Sequence, residues 1–68
     1  MLTIAELRAR NNKMTQKELA DQIGVGVESI RRWEENIYSA SARNIKKIAL
    51  YFGVSSDDLL GINKKISV

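Results

Sequence analysis

The 68-residue chain predicts an all-α domain of five short helices, and three observations carry that prediction. Apolar residues recur at three- and four-residue spacing from Ile4 to Leu60, and no stretch before Gly61 alternates with the period of two that a strand needs. Helix starts are marked by Thr3, Thr15, Ser41 and Ser55, whose hydroxyls can accept the first unpaired backbone N–H groups. Helix stops are marked by Gly24, Asn36, Gly53 and Gly61, residue types that tolerate the left-handed turn ending a helix.

Taken in order, Thr3 and Glu6 form a capping box with Leu2 and Leu7 as its hydrophobic staple, so the first helix runs from about residue 4 to Arg10 or Asn12. Thr15 and Glu18 form a second box with Met14 and Leu19 as staple, and Leu19, Ala20 and Ile23 share the inner face. Gly24 and Gly26 break this helix. A third then spans about residues 26 to 35, with Ile30, Trp33 and Ile37 toward the core and Trp33 read as a core residue. Asn36 is expected to end it in the left-handed conformation. Ser41 caps a fourth helix with the apolar row Ile45, Ile48, Ala49 and Phe52, stopped by Gly53. Val54 and Leu59 staple a short fifth helix that Ser55 and Asp58 cap. Two helices as short as the second and third waste their apolar faces end to end. They must cross, and a crossed pair with a glycine turn is the layout of a helix-turn-helix, about residues 15 to 36.

Composition narrows the function. With no cysteine and no histidine, disulfides and a conventional zinc site are excluded as staples, and no cofactor is expected. An enzyme is not expected either, because the carboxylates are scattered over helix surfaces. No apolar run reaches the ~18 residues of a membrane span, and MLTIAELRAR lacks the basic leader and apolar stretch of a signal peptide, so a cytoplasmic, nucleoid-associated protein is expected. The net charge is +3. Residues 1–40 hold six basic and six acidic groups, residues 41–68 five and two, so the excess lies at Arg43, Lys46, Lys47, Lys64 and Lys65, outside the third helix. Charge alone would give a modest hold on a polyanion.

With residues of the third helix placed at intervals of about 100°, Glu28, Arg32 and Glu35 lie opposite the core, with Arg31 on one flank and Ser29 on the other. Glu28 and Arg32, four apart, are expected to pair on the outer face, either as a solvated ion pair or as groups facing base edges. Gln16 follows its cap directly, beside the positive end of the second helix, where a phosphate is favoured. Glu34 borders the buried arc, and a half-buried carboxylate needs a partner.

The run Thr15, Gln16, Glu18, Leu19, Ala20, Gly24, Val25, Ile30, Trp33 and Glu34 resembles the phage-repressor and Cro type of helix-turn-helix, the XRE family. The match continues through Ile45, Ile48, Ala49, Gly53, Val54, Ser55, Asp58, Leu59 and Leu60, so it covers roughly residues 2 to 61. The resemblance implies a lambda-repressor-like domain over residues 1–61. Residues 62–68 are expected to be a tail, either disordered or dimer-forming. It implies binding to double-stranded DNA as a homodimer, with Val27, Glu28, Ser29 and Arg32 at base-reading positions. Gln16 would contact the DNA backbone and brace a side chain of the recognition helix. Arg31, Asn36, Tyr38, Ser41, Arg43 and Asn44 would face phosphates, and Arg8 would pair with Glu34, with Arg10 as rival because RNNKM carries one extra residue. Ala40 stands where the family has a proline. Leu59, Ile62 and Ile66 are the expected dimer contacts. The function implied is a sequence-specific transcriptional regulator of repressor type; the alternative is an interaction module of the same fold that binds another regulator.

Overall fold

The computed structural model describes residues 2–61. Five α-helices and one 3-10 turn follow in order: α1 (Ile4–Arg10), α2 (Gln16–Ile23), α3 (Val27–Glu35), the 3-10 turn (Ile37–Ser39), α4 (Ala42–Phe52) and α5 (Ser56–Leu60). Among the described residues there is no strand, and no helix is long and apolar enough to cross a membrane. α2 and α3 pack against each other more extensively than any other pair.

The caps written in the sequence place the helices. Thr15 Oγ1 accepts from Glu18 N while the Glu18 carboxylate accepts from Thr15 N, a full capping box at the start of α2. At α1 the box closes differently: Thr3 accepts from Glu6 N, and the Glu6 carboxylate takes the Thr3 hydroxyl. Ser41 and Ser55 cap α4 and α5 through Asn44 N and Asp58 N. Leu2 N donates to the Asp58 carbonyl, which ties the amino end of the domain to α5.

Every helix contributes to one core. Leu19, Ile30, Ile48 and Leu59 are its largest fully buried side chains, with Trp33 at its edge, 4% exposed. Burying side chains of this size stabilises a domain by about 1.5–3 kcal/mol each, against the ordering of the chain. Leu59 was expected as a dimer contact; at 1% exposure it is spent inside its own protomer and offers no surface. The expected contacts Ile62 and Ile66 lie outside the described residues.

Two turns depart from expectation. Asn36 does not end α3 in the left-handed region; its φ of −152° and ψ of 103° are extended. Its side chain has another use, because Asn36 Oδ1 accepts from Tyr38 N at 3.1 Å and caps the 3-10 turn. Side-chain acceptance two residues on is the alternative that asparagine offers to left-handed geometry. Ile37, expected on the inner face of α3, is buried from that 3-10 turn. Among the described residues, the left-handed positions not held by glycine fall instead at Asn12 and Lys13, φ 55° and 54°, in the connection between α1 and α2.

The turn between α2 and α3 holds two glycines with different reasons. Gly24 ends α2 at φ 77°, while Gly26 has φ −77° and is the N-cap of α3. A Cβ at either would meet nothing within 4 Å. Conformation alone therefore decides: Gly24→Ala should lower stability by about 1–2 kcal/mol, the cost of left-handed backbone. Gly26→Ser should raise it by a few tenths of a kcal/mol by supplying the missing cap. Thermal melts of both variants check the contrast.

Candidate nucleic-acid interface

α3 turns Ile30 and Trp33 inward, and Glu28, Arg31, Arg32 and Glu35 are exposed on its outer side, with Val27 and Ser29 half-buried at its start. Gly26 supplies no side chain to cap the helix, so the first N–H groups of α3 have no side-chain cap. The expected Glu28–Arg32 pair is not formed. Arg31 Nη1 reaches Glu28 Oε1 at 2.6 Å, three residues apart, while Arg32 Nη2 donates to Ser29 Oγ at 3.5 Å. On a helix surface both spacings bring side chains together, and here the shorter one wins. The consequence is a division of labour. Glu28 is neutralised by Arg31 in an exposed pair, 74% and 54% accessible, of a kind worth no more than about 1 kcal/mol and readily opened. Among the described residues Arg32 makes no ion pair.

Behind this surface, a clamp fixes where α3 sits. Arg8 of α1 donates to both oxygens of Glu34, Nε to Oε2 at 2.6 Å and Nη2 to Oε1 at 3.0 Å, and its Nη1 donates to the Met14 carbonyl at 2.9 Å. Gln16 of α2 adds a third helix, its Nε2 donating to Glu34 Oε1 at 2.9 Å. The side chains of Arg8 and Glu34 are 18% and 13% exposed, so the pair is largely withdrawn from water and geometrically complete. Nothing in the linear spacing signals the Gln16 bond or the Met14 bond, since both cross between elements. Arg10, the rival partner for Glu34, is exposed.

The remaining phosphate candidates divide into two groups. Ser41, Arg43 and Asn44 gather at the amino end of α4, where the Ser41 hydroxyl oxygen accepts from Asn44 N and keeps its proton to donate. Asn36 caps the 3-10 turn and Tyr38 lies in it, and both are used within the fold. Asn36 Oδ1 is taken by Tyr38 N, and the Tyr38 hydroxyl donates to the Leu60 carbonyl at 2.6 Å, which leaves it no proton for a phosphate while that bond stands.

A helix-turn-helix family model matches residues 4–59, from the start of α1 to one residue short of the end of α5. The chain belongs to the XRE-type, lambda-repressor-like helix-turn-helix family. No curated protein and no solved structure matches it. As a member of this family it is a DNA-binding helix-turn-helix regulator, of a kind that is generally not enzymatic. α2 and α3 are its most extensively packed pair, and the outer side of α3 carries Glu28, Arg31, Arg32 and Glu35.

Proposed function

We propose that the chain is a transcriptional repressor of the Cro and phage-repressor type, binding a two-fold-related operator as a homodimer with α3 in the major groove. The observation that carries this reading is the combination of an outward Arg32 with no ion-pair partner among the described residues and an α3 locked from behind by the Arg8–Glu34 clamp. A reader must be rigid and its reading group must be free. Arg32 is assigned to guanine, whose two major-groove acceptors fit a guanidinium fork, and Glu28 to a cytosine amino group. When Glu28 turns to a base, Arg31 is released toward a phosphate. Val27 is assigned to a thymine methyl and Ser29 to either base edge. Gln16, Ser41, Arg43 and Asn44 are assigned to the backbone, Asn36 only through its remaining N–H groups, and Tyr38 to bracing the loop.

One recognition helix contacts few base pairs, so two copies on half-sites about 34 Å apart, or a multiple of that, are needed for useful selectivity. Selection of duplexes from a random library should return a two-fold-related site bound by two chains. Its affinity should fall steeply with salt. A monomer in sedimentation, both free and on that duplex, would reject the dimer. The second reading, an interaction module that binds another regulator, is favoured by one observation: the outer face of α3 balances Glu28 and Glu35 against Arg31 and Arg32. Absence of any salt-dependent duplex binding would decide for it.

A further inference from the structure

We infer that Glu34 positions Gln16 for its phosphate, so that the Arg8–Glu34 pair sets a DNA contact at the amino end of α2 as well as the packing of α3. The inference rests on the reading of Gln16 as a phosphate contact. Glu34 Oε1 is shared by donors from two helices, Arg8 Nη2 at 3.0 Å and Gln16 Nε2 at 2.9 Å. An ionised carboxylate only accepts, so it dictates which end of the Gln16 amide faces inward: the NH2 group. One N–H is then spent on Glu34, and the other points away from it at the start of α2, where the helix favours an anion. A glutamine at the first helical position is otherwise free to rotate in water. Pinning it removes the entropy that a bound phosphate would have to remove. The other half of the guanidinium holds the Met14 carbonyl, the residue before the Thr15 cap, so the backbone that carries Gln16 is gripped by the same side chain. Ser41 and Asn44, by contrast, are joined among the described residues by the α4 cap alone.

The test is a double-mutant cycle on the selected duplex, read below the melting transition of every variant. Gln16→Ala in the parent should weaken binding about tenfold, the size of a hydrogen bond to a charged group. In a Glu34→Ala background the same change should cost less than about threefold, because the amide is no longer held. A spectroscopic readout separates positioning from mere stability: the two side-chain N–H resonances of Gln16 in the free protein should lose their dispersion and exchange protection in Glu34→Ala. If that variant does not fold, Glu34→Gln replaces it. Its one carbonyl oxygen must serve Arg8, so its NH2 faces Gln16, whose amide must turn over and send both N–H groups outward. Unmoved Gln16 resonances in either Glu34 variant, or equal effects of Gln16→Ala in the parent and Glu34→Ala backgrounds, overturn the proposal. If Gln16→Ala leaves the parent's affinity unchanged while its resonances still respond to Glu34, the phosphate reading has failed and the inference falls with it.

Discussion

Replacing Glu34 with alanine should cost about 3–5 kcal/mol of folding stability, at the lower end of that range because some water reaches the pair. The carboxylate accepts three hydrogen bonds, two from Arg8 and one from Gln16, and its removal leaves the guanidinium with only the Met14 carbonyl. Domains of this size are stable by roughly 0.05–0.15 kcal/mol per residue, so the loss is comparable with the whole margin. A fall in melting temperature of more than about 12 °C is expected, at roughly 4 °C or more per kcal/mol for a domain this small. The cost comes from an abandoned charge rather than from a lost attraction. Arg8→Leu with Glu34→Leu should therefore recover much of it, since replacing both partners removes the desolvated cation as well. Thermal and denaturant melts of the single and double variants decide. A Glu34→Ala protein that melts with the parent would show that the clamp contributes nothing to the fold.

The features legible in the sequence are those whose cause is local. Thr15 and Glu18 specify a cap within four residues, and the same holds for Ser41 and Ser55, so helix starts fall where the sequence puts them. The inner arc of Ile30 and Trp33 follows from helical spacing alone. Where a residue has two local options, sequence does not choose between them. Asn36 can tolerate left-handed backbone or accept an N–H two residues on, and the 3-10 turn behind it selects the second. Glu28 faces Arg31 and Arg32 equally well by spacing, and the rotamers decide for Arg31. Leu59 was expected at a dimer contact, and neither its spacing nor the resemblance shows that it packs into one core with Leu19, Ile30 and Ile48. The Gln16–Glu34 bond, between residues 18 apart in sequence, depends on how α2 crosses α3, which no pattern within either helix encodes.

Arg32→Ala should weaken binding to the selected duplex by about 1–3 kcal/mol per half-site and relax the preference at one base position. In a dimer both half-sites lose the contact, so even the low end, about 2 kcal/mol in total, is roughly a thirtyfold change in Kd. The side chain is exposed and lies opposite Ile30 and Trp33, and alanine is the best helix former, so the fold should be untouched. Gln16→Ala should behave differently: weaker binding to all sequences alike, because a phosphate carries no base identity. Its salt dependence should hardly change, since a neutral amide displaces no counterion. Arg43→Ala at the start of α4 should instead lower the salt slope by about one for each half-site. Titrating the three variants against the selected site and its single-base derivatives, at two salt concentrations, separates reader, neutral clamp and charged clamp. If Arg32→Ala keeps the parent's affinity for every duplex, the outer face of α3 does not read DNA, and the balanced charges of Glu28, Arg31, Arg32 and Glu35 become a surface for another protein.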